Sequence, residues 1–521
     1  MKKRISTLIV AVLVLLAMVL QAVPAMAEEV PTLTGFLEEC VSVEDFETNA
    51  ATKWLEEKIG CNLDFNIAPV GSAEEKMNIL LNSGDYPDIF YVTVPDENHY
   101  GIETGILLEL TDYINPEDMP NLCYMFEQRP DVFNQMKAVD GKIYAFPQYA
   151  EGTHTKYPYK MFYNKHYMDE LGLNVPTTTD ELYDVLVAFK EAYPDGVGLT
   201  GTYLETYSFI VNAFTYVGTD SVTALRLHNG EVESFAVDEQ YKEALRFMNK
   251  LCAEGLLDET IFTMEKAQVK ALLASDTPVL FWGACNNVDV VDGANNAALY
   301  AVEKPLEPLM GPEGAQYSTY AQPAPTAGMA ISAKCEHIDL AIKFADLHYS
   351  IEGFCTICGG IQGVDWKFCE EGVMNVLGTQ ATKERLTVAT YDLQNNRWEP
   401  RRVCFVTADI DSSPFDPETY NEDDPASGGN FRSIMTVELY MPHYSEEYQS
   451  KPVYKFTSEE NEEMSILSVS LENYIAKSRV EFITGNKDID ADWDNYVQGL
   501  YDIGLERVIE IEQAVYDRNS K

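Results

Sequence analysis

The chain has 521 residues, 84 of them acidic and 37 basic, with a formal net charge of -47, and 46% of its residues are hydrophobic. That apolar content excludes a disordered chain, which lacks the surface to offset its ordering entropy, and the length demands two or more lobes. The charge opposes nucleic acid as a partner, because displacing counterions from phosphates takes Lys and Arg, and it equally opposes an anionic membrane surface.

In chain order, Lys2, Lys3 and Arg4, the apolar run Leu8 to Leu20 and the small-x-small triplet Ala25-Met26-Ala27 read as a cleaved secretory signal over residues 1–27. No later stretch approaches the roughly 18 apolar residues of a spanning helix. No direct membrane insertion is expected after cleavage, and the mature protein is placed outside the cytoplasmic membrane. The first cysteine, Cys40, follows Leu37-Glu38-Glu39, which is no lipid-attachment site. Ten cysteines in an exported chain allow buried thiols or one or two disulfides. Cys355-x-x-Cys358 lacks a second CxxC, so no metal is assigned.

Asp45 to Ile59 predicts a helix, and Leu63, Phe65 and Ile67 alternate as in a strand. Ser72 is placed as the cap of a helix through Leu81, Asn82 to Asp85 as a turn, and Ile89 to Val94 as a buried strand. This is a βαβ unit and predicts a parallel sheet. Gly141 to Pro147 reads as a turn into a short strand and Lys160 to Asn164 as another. Tyr167 to Leu171 is a short helix, and a long one, capped by Thr178 or Thr179, runs to Ala192. Asn229-Gly230 is a hairpin turn. Asp238 to Glu254 is a helix stopped at Gly255. Strands follow at Pro278 to Trp282 and Ala327 to Ala333, then a helix from His337 to Ser350. An acidic loop spans Asp411 to Asn430, and helices cover Ser458 to Ile483 and Asp490 to Arg518. No period of 20–50 residues appears, so a solenoid is not expected.

Several of these segments together carry a resemblance. Met77 through Ser83-Gly84-Asp85-Tyr86-Pro87-Asp88-Ile89 and Asp140-Gly141-Lys142-Ile143-Tyr144-Ala145-Phe146-Pro147 look like an importer-family pattern. So do Leu171-Gly172-Leu173-Asn174-Val175-Pro176-Thr177, Glu254-Gly255-Leu256-Leu257-Asp258 and the tail from Trp493-Asp494 to Asp517-Arg518. In this order and spacing, across nearly all of the mature chain, the sequence resembles the extracellular solute-binding proteins of ABC importers, in their large oligosaccharide-type branch. The resemblance implies an α/β, two-lobed periplasmic-binding-protein-like fold (type II), with a hinge between the lobes and the ligand in the interlobe cleft. It places lobe 1 at 28–147 and 326–385, lobe 2 at 148–325, and a mainly helical C-terminal segment at 386–521 on lobe 2 and the hinge. It implies a monomer that takes up an oligosaccharide, delivers it to ABC permease subunits and needs no cofactor. Members often hold calcium in an acidic loop after the helix that here ends near Tyr193. This chain offers only Asp195 there, so no metal site is expected.

A sugar cleft pairs aromatic planes with a few placed polar groups. The ligand-binding candidates are Trp282 at the end of its strand, Gln148 and Tyr149 on the first crossing strand, Tyr163 and Asn164 at the end of theirs, Asp85 in the turn before a strand, and Trp366. No catalytic residue is assigned: there is no GxSxG, HExxH or GxxxxGK[ST]. The rivals are a peptide-binding importer component and a secreted glycoside hydrolase, which would need two carboxylates flanking a sugar bond. The acidic field favours a neutral ligand over polyuronates, a preference that the adjacent Arg401 and Arg402 could reverse locally.

Overall fold

The computed structural model describes residues 30–519, except 221–222, 292, 294, 388–392, 400–402, 409, 411, 425–427 and 453. The expected signal at 1–27 and the pair Arg401–Arg402 lie outside the described residues.

The chain builds two α/β lobes. In lobe 1 a six-stranded sheet runs in the order β14(Phe405–Val406), β4(Phe146–Ala150), β11(Thr326–Ile331), β3(Ile89–Tyr91), β1(Thr32–Glu38), β2(Asn62–Ala68). β1 pairs parallel with both β2 and β3, and β11 is antiparallel to β3 and β4. In lobe 2 the order is β10(Glu303–Leu306), β5(Lys160–Asn164), β9(Val279–Ala284), β6(Val197–Gly201). β9 pairs antiparallel with β5 and parallel with β6. A three-stranded sheet of β7(Leu225–His228), β8(Glu231–Ser234) and β15(Tyr448–Gln449) flanks lobe 2, and β12(Trp366–Phe368) with β13(Lys383–Arg385) forms a separate hairpin.

Local chemistry explains most boundaries. The helix Ala50–Ile59 starts where the Asn49 side chain accepts from Ala51 N at 3.0 Å and ends at Gly60, φ 81°. Thr178 caps Thr179–Ala192 as expected, accepting from Glu181 N at 3.1 Å. Asn229 and Gly230, at φ 51° and 87°, turn the β7–β8 hairpin. Several expectations shift. The helix expected from Asp45 begins at Ala50, and the strand expected to reach Val94 ends at Tyr91. Ser72 precedes the helix Ala73–Ser83 without capping it, because its hydroxyl donates to Pro69 O at 2.8 Å. The strand expected over Gly141 to Pro147 lies at 146–150. The run expected to be one helix from Asp490 to Arg518 is two, Ile489–Ile503 and Leu505–Asn519, broken at Gly504 with φ 122°.

Each lobe has its own core. One cluster holds Leu33, Leu55, Tyr149, Phe344 and Trp398; the other holds Tyr157, Phe162, Trp282 and Trp493. The C-terminal helices belong to the second: Leu471, Ile475 and Phe482 of Ser458–Ile483 pack there. No disulfide joins any of the ten cysteines. Cys355, Cys358 and Cys404 share a small buried cluster with Trp366.

A close backbone approach lies where β6 meets β9. Gly201 has φ 127°, and a Cβ there would stand 2.3 Å from Gly283 N. Gly201→Ala is therefore expected to cost about 2–4 kcal/mol, read as a fall of roughly 5–10 °C in the melting temperature. At the start of Ser458–Ile483, Arg518 grips the Glu460 carboxylate with two 2.9 Å bonds inside a Thr457–Glu460 capping box. The Arg518 bond lowers the Glu460 pKa from 4.5 to about 2. A depressed carboxyl pKa gives stability that is complete above about pH 4.5 and lost as pH falls towards 2. Glu460→Gln should therefore shrink the drop in melting temperature between pH 6 and pH 3.

Candidate functional site

The topology itself marks the site. β4 runs parallel to β3, since both are antiparallel to β11, and it leaves lobe 1 at Ala150 towards lobe 2. The carboxyl ends of β1, β2 and β3 therefore face lobe 2. β5 enters lobe 2 from the same crossing and is antiparallel to β9, so the carboxyl ends of β9 and β6 face back. Ligands in open α/β sheets bind outside the carboxyl ends of the strands, and here two such edges share one gap.

At the end of β3 the backbone is strained. Val92 has φ 65°, Thr93 N donates to Tyr91 O at 2.8 Å, and Val92 N donates to Gly328 O at 2.7 Å. A β-branched residue at positive φ costs of order 1–3 kcal/mol, and such residues cluster at functional sites. Just beyond it, Glu97 Oε1 and Asn98 Oδ1 are buried without hydrogen-bond partners, while Glu97 Oε2 accepts from Lys455 at 2.6 Å. On the opposing edge, Asn286 Oδ1, two residues past β9, is likewise buried and unpartnered.

The crossing region supplies rings and charge. Tyr157, Tyr320 and Tyr444 form an edge-to-face series with centroids 5.5 and 5.3 Å apart; Tyr444 is 39% exposed. Beside them Arg129 contacts Glu151 and the Tyr149 hydroxyl, and binds Asp131 through two bonds of 2.9 and 2.7 Å. The Asp131 bonds push the Arg129 pKa up, and burial pushes up those of Tyr149 and Tyr320. Arg129, Tyr149 and Tyr320 therefore hold fixed protonation states at neutral pH and can act as steady partners to hydroxyls.

Of the seven residues singled out in the sequence, two come to this crossing. Gln148 is half-buried on β4 opposite Thr326. Tyr149 is buried against Phe405, its hydroxyl 2.5 Å from Glu151 Oε1. The other five lie elsewhere. Trp282 is fully buried in the lobe 2 core, opposite Phe162 and Thr200, and has no face left for stacking. Trp366 is fully buried, its indole N–H bonded to Gly360 O at 2.8 Å. Tyr163 packs on Phe281. Asn164 caps the next helix, accepting from His166 N at 3.1 Å. These two sit at the far end of β5 from the crossing. Asp85 is exposed before the start of β3, at the opposite end of that strand from the gap. The sequence reading missed Val92, Glu97, Asn98, Arg129, Glu151, Asn286, Tyr157 and Tyr444.

Among the described residues no group of three His, Cys, Asp or Glu side chains is placed to hold a metal ion. The turn after Thr179–Ala192 does not fit calcium. Only four residues separate that helix from β6, and the Lys190 ammonium donates to Gly196 O at 3.0 Å, where a cation would compete. No described helix is long and apolar enough to cross a membrane.

Two α/β lobes joined by chain crossings, and facing strand edges lined by rings and unpartnered acceptors, define a two-lobed binding protein. The sequence profile of the bacterial extracellular solute-binding proteins matches residues 42–353, more than half of the chain, and the protein belongs to that family. The fructooligosaccharide ABC transporter substrate-binding protein FusA of Streptococcus pneumoniae is 26% identical over 498 residues, covering 89% of this chain and 86% of its own. The polygalacturonan/rhamnogalacturonan-binding protein YtcQ of Bacillus subtilis is 27% identical over about half of each chain, 51% and 52%. Among solved structures, an HMO-binding, ABC-transporter-associated solute-binding protein from Bifidobacterium longum infantis superposes with a TM-score of 0.78 at 20% identity, covering 94% of this chain and 99% of its own. FusA in complex with kestose superposes at 0.75 with 23% identity and the same coverage.

The burial of Trp282 has a direct consequence. Trp282→Ala should lower stability by about 3–5 kcal/mol through cavity formation, seen in the urea unfolding midpoint with or without a ligand present.

Proposed function

We propose that this protein captures a neutral oligosaccharide of the fructooligosaccharide class outside the cell and delivers it to an ABC permease. The observation that carries the reading is the crossing site, where the Tyr157, Tyr320 and Tyr444 rings stand beside Arg129, Glu151 and Gln148. Aromatic faces suit the C–H planes of sugars, and charged side chains held by other protein groups suit their hydroxyls. The relative aligned over most of its length carries a fructooligosaccharide name, which supports the same class. A relative aligned over half its length is named for polygalacturonan, but a net charge of -47 opposes a polyanionic ligand through its long-range field. Nothing in the site favours a peptide.

In this reading the protein acts as a monomer and makes and breaks no bond. Tyr320 and Tyr444 stack on the sugar, Gln148 and the Arg129–Glu151 pair meet its hydroxyls, and Asn286 reaches it from lobe 2. The hydroxyl of Tyr149 is engaged with Arg129 and Glu151, so it orients them. Closing the lobes removes water from these contacts and presents the closed form to the permease.

The test is a thermal-shift screen of residues 28–521 against kestose and longer fructooligosaccharides, galacturonate oligomers and short peptides, with product analysis of each mixture. A saturable rise with intact fructooligosaccharide is expected. A rise with galacturonates alone would move the substrate class, and cleaved ligand would move the protein to the hydrolases. Tyr320→Ala should weaken kestose binding by roughly tenfold or more, measured by titration calorimetry, with the melting temperature of the free protein little changed.

A further inference from the structure

The two lobes meet along a chain segment in which nearly every residue is claimed by one lobe or the other. On the lobe 1 side, Tyr149 packs in the first core. Tyr149 N donates to Cys404 O at 2.7 Å, and Glu151 N donates to Val406 O at 3.0 Å. The Glu151 carboxylate is fixed by Arg129 and by the Tyr149 hydroxyl. On the lobe 2 side, Tyr157 packs in the second core. Lys160, fully buried at the start of β5, donates to His154 O at 2.7 Å, to Tyr157 O, and to Cys285 O at 3.1 Å. Burial lowers its pKa from 10.5 to about 8, so it stays largely charged at neutral pH. The turn between the pins also belongs to lobe 2, because Gly152 O accepts from Thr155 N at 3.0 Å and Thr155 Oγ1 at 2.8 Å.

We propose that the first crossing bends at one place, the junction of Glu151 and Gly152, and that Arg129 and Lys160 are positioning residues that bracket this pivot by tying its two sides to opposite lobes. The last residue held by lobe 1 and the first carbonyl held by lobe 2 are neighbours in the chain, so the torsions between them absorb a lobe rotation; the Lys156 ammonium lies 3.9 Å from Glu151 Oε2 across them, a loose contact that gives as the backbone turns. Gly152 suits the place, since it carries no side chain to restrict those torsions. The return crossing contrasts with it. Ala321 N donates to Lys156 O at 2.7 Å on the lobe 2 side, and Thr326 pairs with Gln148 on the lobe 1 side. The stretch between contains Pro323 and Pro325, whose φ angles are locked. Lys160 has a second effect through Cys285: it fixes the lip of β9, beside Asn286, relative to the crossing segment.

Three variants test this. In Lys160→Met, hydrogen exchange at amides 154–157 and 286–287 should rise at least tenfold over wild type while exchange in lobe 1 is unchanged. In Gly152→Val, which restricts the pivot and must displace the Thr155 hydroxyl, 2.9 Å from the new Cβ, while the bonds of Arg129 and Lys160 remain, the association rate for kestose should fall about tenfold or more, with the melting temperature within a few degrees of wild type. If Lys160→Met does not fold, Arg129→Met supplies the same comparison on the other side, with faster exchange expected at 149–151. Wild-type exchange at these amides in a folded pin variant, or an association rate within twofold of wild type in Gly152→Val, would overturn the proposal. The kestose arm rests on the function proposed above. Failure of wild-type protein to bind kestose counts against that function, and the exchange measurement still decides the pivot.

Discussion

Everything distinctive about this molecule follows from how β4 is held. It is the strand by which the chain leaves lobe 1, and it is hydrogen-bonded on one side to the returning strand β11 and on the other to the parallel strand β14. Two chain passes are thus welded to the edge of one sheet by backbone hydrogen bonds, which must be made somewhere once the strands are buried. With that edge fixed, the direction of every other strand is settled, and the carboxyl ends of both sheets turn towards the same gap. A binding site in this fold is a consequence of strand direction before it is a matter of side chains.

The side chains then divide into those that fill lobes and those that line the gap, and the division is physical. Large rings inside a sheet covered on both faces are consumed by packing. All six residues of β9 are buried, and Trp282 is among them. Groups near the gap include acceptors with unmet hydrogen-bond capacity, in Glu97, Asn98 and Asn286, and side chains held by charge, in Arg129 and Glu151. An unpartnered buried acceptor is costly unless something arrives to satisfy it, and three such acceptors line facing edges here.

Much of the architecture was legible in the sequence because its signals are local. The βαβ start, the Asn229-Gly230 hairpin, the Thr178 cap and the long helix Ser458–Ile483 each declare themselves within a dozen residues. The site was far less legible. A strand buried on both faces shows no alternation, so nothing in Val279 to Ala284 distinguishes a tryptophan facing the core from one facing a ligand. Asn164 read as a strand-end polar group because its role as a cap depends on where the next helix begins. Tyr157, Tyr320 and Tyr444 are separated by more than a hundred residues at each step, and no spacing rule connects them. Val92 occupies a conformation for which sequence reasoning expects glycine, so nothing in the sequence marked it.

The net charge of -47 has a mechanical meaning for a molecule with two lobes. Closing the gap brings two bodies of the same sign together, and the work of doing so depends on how far their fields reach through the solvent. That reach is about 8 Å at physiological ionic strength and about 30 Å at 0.01 M. Dissolved salt thereby becomes a silent co-ligand of the closed form: it touches no residue of the cleft, yet it sets part of the free energy against which any bound molecule must hold the lobes shut.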